Sequence, residues 1–320
     1  MFQALVSAAS RWLNELRRSW FHPYLPPREV VDALSAPAPQ RTYGPMQRVL
    51  LTDEVSRTLF EEYASHREGA RGEEETGWVL LGLREADETV VLATLPAGAE
   101  RSAGVAHVRF NAGAQALASR IVRLWDRRLS IVGVVHTHPG SLRHPSDGDF
   151  QGDRLWVSQL RGRDGIFGIG TADGETIPGT LIATQPRPHV QCLGELCMTW
   201  FALAEGDSKY RPMPVHMTLG PDLARPLHGV WEIIERHADP LDRLFRQQAG
   251  VTTEATNDAL LVQLPLAQPY QRLRLVLERT RVRYLLHRGQ DVIEVDPQAN
   301  QVDHGVYLVL AELAGRHGTS

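Results

Sequence analysis

The apolar positions of the N-terminal segment recur at steps of three and four residues: Phe2, Leu5, Ala9, Leu13, Leu16 and Trp20. This spacing predicts an amphipathic helix that ends before His22. Arginines line its polar face, so the helix could dock on the protein or a partner chain, which we favour, or bind a membrane surface. Prolines at residues 37 and 39 predict a linker over residues 34–45.

From about residue 48, short apolar runs of strand length alternate with stretches of helical periodicity. The runs fall at 48–51, 78–82, 89–95, 131–135, 165–170, 180–183 and 198–204. The helical stretches fall at 53–65, 114–127 and 149–160. Because the run 131–135 is continuously apolar, it predicts a central, buried strand. The alternation is typical of an α/β fold with a sheet at its centre.

The last hundred residues carry a different pattern. A helical stretch at 227–247 precedes four alternating segments at 260–264, 272–278, 282–287 and 292–295, which predict an antiparallel meander. Residues 306–314 predict a closing helix or strand. The chain is therefore expected to have three parts: an N-terminal helix and linker (1–46), a central α/β domain (47–218) and an α+β accessory domain (219–320).

Arginines alternate with apolar residues within this meander. Arg272, Arg274, Arg281 and Arg283 share one face of the predicted strands. That face could contact nucleic acid or an acidic partner, although a solvated sheet face is the interpretation we favour. The net charge of −4 argues against holding nucleic acid by bulk charge.

Composition excludes several classes of protein. With 42% apolar and 22% charged residues, the 320-residue chain is globular rather than disordered. Its apolar runs are far shorter than the roughly 20 residues that span a bilayer, and its N-terminus lacks the features of a secretory signal. Cys192 and Cys197 could form one bridge at most, so a disulfide framework is excluded and the cytoplasm is the expected compartment. A zinc site with His189 and His216 is the weaker alternative to two buried or free cysteines.

The candidate chemistry lies between residues 134 and 149. His136 and His138 stand two apart at the end of the predicted central strand, so both side chains point to the same side and suit one metal ion. Asp149, in the first turn of the next predicted helix, can face the same point. Two nitrogens and one carboxylate oxygen are typical of a catalytic zinc site, which keeps its fourth position open.

Two further groups complete this hypothesis. Ser146 lies about one helical turn before Asp149 and could donate a hydrogen bond to an oxygen near the metal. A base is also needed, and a run of three acids, Glu73, Glu74 and Glu75, directly precedes the strand at 78–82. A solvated acidic loop is the plainer interpretation of that run taken alone.

These residues together resemble the signature of the JAMM metalloproteases, also called the MPN+ or JAB domain. The sequence His136-Thr137-His138-Pro139 is followed by six residues, Ser146, two residues and Asp149. Upstream, the segment from Glu75 to Gly82 is similar to the glutamate segment of that family. The resemblance covers about residues 48–204 and implies a cytidine-deaminase-like α/β core with a central mixed sheet.

The resemblance also implies roles. His136, His138 and Asp149 would bind Zn²⁺, Glu75 would be the general acid/base, and Ser146 would stabilise the oxyanion. Trp78 departs from the small or aliphatic residue usual in prokaryotic relatives, and we interpret it as shaping the substrate groove. The expected activity is that of a zinc isopeptidase that cleaves after the C-terminal glycine of a ubiquitin-like protein.

The same resemblance implies a biological setting for that activity. The chain resembles the deconjugase of bacterial antiphage operons, which also encode E1-like and E2-like enzymes as possible partners. The accessory domain is faintly similar to E2-like and RWD folds but lacks a cysteine for a thioester. Two alternatives stay open: processing of a sulfur-carrier protein, and a non-catalytic interaction protein with a structural zinc. Nucleic-acid and membrane partners are not expected.

Overall fold

The computed structural model describes residues 43–104, 108–175, 183–268 and 270–317. The predicted N-terminal helix, almost all of the linker and most of the predicted strand at 180–183 lie outside these residues. Within them the chain is a mixed α/β structure with a curled central mixed sheet and a second, C-terminal sheet. The predicted fold class is confirmed for this part of the chain.

The helices are α1 (Asp53–Glu68), α2 (Ala112–Trp125), α3 (Asp147–Trp156), α4 (Arg225–His228), α5 (Trp231–Gln247) and α6 (Val302–His317). The strands are β1 (Arg48–Thr52), β2 (Gly77–Arg84), β3 (Glu88–Pro96), β4 (Ser102–Ala103), β5 (Val108–Arg109), β6 (Ser130–Thr137), β7 (Asp164–Thr171), β8 (Ala183–Arg187), β9 (Val190–Leu193), β10 (Leu196–Ala204), β11 (Arg211–Pro212), β12 (Val215–Thr218), β13 (Thr252–Ala255), β14 (Ala259–Pro265), β15 (Gln271–Glu278), β16 (Val282–Arg288) and β17 (Asp291–Val295).

The central sheet has the strand order β12-β1-β3-β2-β6-β7-β10-β9-β8, with β11 paired to β10. β6 and β7 run parallel, while β2 pairs antiparallel with both β3 and β6. The two ends of this order approach each other, since the Val215 N–H donates to the Pro188 carbonyl over 2.9 Å. The sheet therefore curls, and β6 lies near its middle as the apolar run predicts.

Strand β2 shows how the sheet is covered on both faces. Val79 and Leu81 pack in the core that contains α2 and α5, whereas Trp78 and Leu80 pack in the core beneath α1. Alternate side chains of a strand point to opposite faces, so a strand buried on both sides must be apolar at every position. Six of the first seven residues of β2 are fully buried, which makes it a rigid neighbour for β6.

The C-terminal sheet is an antiparallel meander in the order β13-β14-β15-β16-β17. Its inner leucines and the apolar sides of α5 and α6 belong to the same hydrophobic core as α2, so the two sheets share one core. Arg272, Arg274 and Arg283 lie on the outer face as predicted, whereas Arg281 lies in a turn and pairs with Glu278. The three-part division of the chain at residues 46 and 218 stays a prediction.

The structure corrects several details. The predicted helix at 227–247 is broken at Gly229 into α4 and α5, the meander has five strands rather than four, and residues 306–314 belong to the helix α6. Cys192 and Cys197 are buried, but they are not free, because they form a disulfide across the β9–β10 pair. No helix in the described part of the chain is long and apolar enough to cross a membrane.

Candidate metal centre

The end of β6 places the two histidines. His136 pairs with Gly77 on β2 and with Ile169 on β7, so its backbone is held on both sides. The N–H of His138, just beyond the strand, donates to the Gly170 carbonyl over 2.8 Å. Both residues are only 7% exposed, and their Nε2 atoms lie 3.1 Å apart. The same-side geometry predicted from the His-x-His spacing is therefore present.

The first turn of α3 brings the carboxylate. Ser146 is the N-cap of α3, and it forms a capping box with Asp149 in which each side chain bonds the other residue's backbone N–H. This box holds the carboxylate against the histidines: Asp149 Oδ1 lies 3.3 Å from His136 Nε2, and Oδ2 lies 3.5 Å from His138 Nε2. The helix begins two residues earlier than the sequence pattern predicts.

The spacing of these three donors fits zinc. Two ligand atoms that each lie about 2.0–2.1 Å from a tetrahedral zinc are separated by roughly 3.3 Å. The two Nε2 atoms lie 3.1 Å apart, and each lies at a similar distance, 3.3 or 3.5 Å, from a different oxygen of the Asp149 carboxylate. Two imidazole nitrogens and one carboxylate oxygen are a donor set that zinc accepts, so His136, His138 and Asp149 could hold the ion.

Neighbouring groups orient His138 and charge the site. His138 Nδ1 lies 2.8 Å from the Leu142 carbonyl, which fixes the proton on Nδ1 and leaves Nε2 free to bind a metal. Burial acts to lower the pKa of His138, but Asp149 and the Leu142 carbonyl outweigh it and raise the pKa. Burial acts to raise the pKa of Asp149, but His136 and His138 hold it far below its usual value. The carboxylate is therefore ionised.

The structure separates the three glutamates of the acidic run. Glu73 is exposed, and Glu74 pairs with Arg71 over 2.6 Å. Glu75 is only 4% exposed and lies two residues before Gly77, which pairs with His136. Its charge contributes to the raised pKa of His138, so the carboxylate lies within electrostatic reach of the ligands. Glu75 is thus the buried acid of the run, and its charge acts on the candidate metal centre.

The hydroxyl of Ser146 is engaged with Asp149 rather than free. Ser146 Oγ donates to Asp149 Oδ2 over 2.7 Å, and the backbone N–H of Ser146 donates to the same oxygen over 2.6 Å. The residue is exposed, so an oxygen of a bound substrate can compete for the hydroxyl. The structure brings Ser146 to the candidate metal centre through the ligand that it orients.

Two other sequence interpretations do not hold. Trp78 does not line an open groove, because it is 2% exposed and its Nε1 donates to Glu62 Oε2 over 2.7 Å beneath α1. A second zinc site at Cys192 and Cys197 is wrong as well, because those sulfurs are bonded to each other. In the described part of the chain, one group of three possible ligands converges, at His136, His138 and Asp149.

Some neighbouring residues escaped the sequence reasoning. Arg101 donates from Nε to the Glu75 carbonyl over 3.3 Å, and its position in a loop far along the chain gives no local signal. Asp153, one turn after Asp149 on α3, accepts from the Tyr210 hydroxyl over 2.7 Å. Burial raises the pKa of Asp153 to about 6. Its spacing of four from Asp149 is a signal that could have placed it on the same side of the helix.

Comparison with known proteins finds a family match for the segment that contains the candidate metal centre. Residues 56–176 match the family model described as prokaryotic homologs of the JAB domain, and all five candidate residues fall within that range. No curated protein sequence matches the chain. The solution structure of a protein from Desulfitobacterium hafniense aligns over 54% of this chain and 95% of that one, with 15% identity and a TM-score of 0.34. A likeness that distant carries no argument about the site.

Proposed function

We propose that this chain, whose residues 56–176 are a JAB-type domain of the JAMM/MPN family, is a zinc-dependent peptidase. The observation that carries the proposal is the convergence of His136, His138 and Asp149 at zinc-like spacing beside a buried glutamate, Glu75. Many carboxylates lie near histidines without catalysis. Few sites combine three converging donors with a fourth, buried acid just before the adjoining strand.

Each residue has a task in peptide hydrolysis. Zinc held at this site would polarise the scissile carbonyl and lower the pKa of water to about 7. Glu75 takes a proton from the attacking water and delivers a proton to the leaving amine, which balances the reaction. Ser146, exposed at the start of α3, donates to the carbonyl oxygen as negative charge develops there. The Leu142 carbonyl orients the His138 ring by accepting a hydrogen bond from Nδ1.

We place the substrate among ubiquitin-like proteins, with cleavage after the C-terminal glycine of the tail. This finer assignment, and the role in a bacterial antiphage conjugation system, rest on the sequence resemblance. The geometry supports hydrolysis of either a peptide or an isopeptide bond, because both have the same carbonyl group and an amine as leaving group.

A cleavage assay with matched glutamate variants tests the proposal. The substrate is a ubiquitin-like protein fused through its C-terminal glycine to a reporter. We expect one zinc per chain and cleavage that stops with a chelator and returns with zinc. Glu75→Ala should lower the rate by about 10²–10⁴-fold, the usual contribution of a general acid/base. Glu73→Ala, an exposed acid of the same run, should leave the rate unchanged.

Other outcomes decide between the alternatives. Cleavage that survives Glu75→Ala contradicts the mechanism, and a purified protein without zinc contradicts the site itself. Bound zinc with no cleavage of any fusion favours an interaction protein with a structural metal. Cleavage confined to a sulfur-carrier protein with a short extension after its Gly-Gly end favours the biosynthetic alternative.

A further inference from the structure

We propose that Thr137, the residue between the two histidines, is a positioning residue whose hydroxyl aligns Glu75 with the metal centre. The inference rests on the proposed function, because it assigns Thr137 a part in placing the acid/base of that reaction. The hydrogen bonds of Thr137 that carry this inference go to the backbone of Thr76, the residue that follows Glu75. Thr137 acts on the backbone next to Glu75.

The contacts of Thr137 connect two segments that are far apart in sequence. Its side chain points away from the ligand side of β6 and is 2% exposed. The hydroxyl Oγ1 accepts a hydrogen bond from the Thr76 N–H over 3.0 Å, and the Thr137 N–H donates to the Thr76 carbonyl over 2.9 Å. Thr76 is thus bonded at both backbone groups to the residue that separates the two ligands.

The backbone of Glu75 itself is hydrogen-bonded to another region of the chain. The Glu75 N–H donates to the Gly104 carbonyl over 2.8 Å, and Arg101 Nε donates to the Glu75 carbonyl over 3.3 Å. Both partners belong to the β4–β5 region, which lies outside β6. They hold the segment from the β4–β5 side, whereas Thr137 holds it from the strand that carries the ligands.

The Thr76 amide needs its acceptor. Thr76 is only 8% exposed, and a buried N–H without a partner is strongly disfavoured, so losing the hydroxyl would move or loosen the segment. A catalytic group displaced by about 1 Å can cost roughly 10²-fold in rate. The two histidines would stay in place, since β6 remains paired with β2 and β7. Positioning and metal binding are therefore separable at this residue.

Two substitutions divide the hydroxyl from the methyl group. Thr137 Cγ2 packs close to Gly170, where an added Cβ would come within 3.0 Å of it. Thr137→Val keeps this packing and removes the acceptor, whereas Thr137→Ser keeps the acceptor and removes the methyl. Thr199→Val is the matched control, because Thr199 is buried in the same sheet and its hydroxyl has no hydrogen-bond partner among the described residues.

The first measurement is amide hydrogen exchange at Thr76 in the zinc-loaded protein. We expect Thr137→Val to raise the exchange rate at least tenfold, with Thr137→Ser and Thr199→Val within about threefold of the wild type. The second is catalysis: Thr137→Val should lower kcat about tenfold or more with KM and zinc content unchanged, and Thr137→Ser should restore most of kcat. The third is the visible spectrum of the cobalt-loaded protein. We expect the spectrum of Thr137→Val to differ from that of the wild type and to resemble that of Glu75→Ala.

Each result decides the question. Unchanged exchange at Thr76 in Thr137→Val overturns the proposal, as does an equal loss of kcat in the valine and serine variants, which would indicate packing alone. Loss of zinc from Thr137→Val together with loss of activity would also overturn it. If the wild type cleaves no substrate, the proposed function fails, whereas the exchange rates and the cobalt spectra still test the positioning role.

Discussion

The candidate metal centre has two halves that the fold supports in different ways. The strand half consists of Glu75, His136 and His138, which are all less than 8% exposed and lie on or beside paired strands. The helix half consists of Ser146 and Asp149, at the start of α3, where Ser146 is exposed and Asp149 is half-buried. The strand half is set by the sheet, and the helix half by a capping box.

The two halves also differ in the buried contacts that support them. Beneath the strand half, Trp78 on β2 donates to Glu62, and Glu62 contacts His228, whose other ring nitrogen lies 2.7 Å from the Thr94 carbonyl on β3. Helix α3 contributes no fully buried residue. A rigid half can hold the metal and the base in fixed geometry, while the more loosely anchored half can adjust as a substrate oxygen competes for Ser146. The predictions below test this contrast.

The largest effect should come from removing a ligand of the strand half. His138→Ala should weaken zinc binding by more than 100-fold, because losing even the partner that orients a metal-ligating histidine costs about 10–100-fold. Competition with a zinc chelator measures the affinity. His144→Ala changes an exposed histidine of the same loop and should bind zinc as the wild type does. Equal affinities in the two variants would remove His138 from the site.

A pair of glycine substitutions compares the two halves directly. A Cβ on Gly77 would lie 2.5 Å from the Val135 carbonyl oxygen and 3.3 Å from His136 Cα, so Gly77→Ala must push β2 away from the ligand strand. We expect a loss of about 1–3 kcal/mol in the free energy of unfolding, as for overpacking elsewhere, together with weaker zinc binding.

The matched change lies in α3. A Cβ on Gly152 meets no atom within 4 Å, so Gly152→Ala should be neutral or stabilise the helix by up to about 1 kcal/mol. Chemical denaturation of both variants gives the comparison. A neutral Gly77→Ala would mean that the sheet tolerates displacement at His136, and the strand half would then be no more rigid than the helix half.

A smaller effect is expected from the cap of the helix half. Ser146→Ala removes a hydrogen bond to Asp149 and the N-cap of α3, a change worth about 0.5–2 kcal/mol to a helix. Because α3 buries no residue fully, the loss should appear as faster amide exchange in α3 rather than as a lower melting temperature. Zinc affinity should fall about tenfold, since Asp149 loses its orienting partner. A large drop in melting temperature would show that α3 is integral to the core.

The sequence predicts those features of the two halves that depend on residues close together in the chain. The His-x-His spacing at the end of an apolar run places two rings on one side by strand alternation alone, and the Ser-x-x-Asp spacing is a capping signal. Only the family resemblance distinguishes Glu75 from Glu73 and Glu74 in the sequence, because a run of three acids has no internal signal. The structure supplies the physical reason, which is burial beside β6.

Pairings between distant segments could not be predicted. The Thr76–Thr137 bond, the Trp78–Glu62 bond and the Arg101 contact each join parts of the chain that have no shared periodicity. The sequence does not predict the disulfide for the same reason, since Cys192 and Cys197 face each other only because β9 and β10 pair. Strand β13, with the sequence Thr-Thr-Glu-Ala, lacks the apolar alternation that identifies the four strands after it.

The hydrogen-bonded group of Trp78, Glu62 and His228 beneath the strand half predicts that the stability of the protein depends on pH. Burial acts to lower the pKa of His228, but the Glu62 carboxylate, 2.5 Å from Nδ1, outweighs it and raises the pKa. The folded protein then binds this proton more tightly than the unfolded chain. The stabilisation is complete below about pH 6.5, the ordinary value for histidine, and is lost as the pH rises through the raised value, at about 1.4 kcal/mol for each pKa unit.

Urea denaturation of the zinc-loaded protein between pH 6 and pH 9 measures this dependence. His228→Gln should flatten the fall in stability over that range, whereas His216→Gln, an exposed histidine on β12, should keep it. Because Glu62 also holds Trp78 on β2, the wild type should show faster amide exchange in β2 as His228 loses its proton, with α3 unaffected. If α3 loosened to the same extent, the two halves would share one support, and the contrast between them would lie only in exposure.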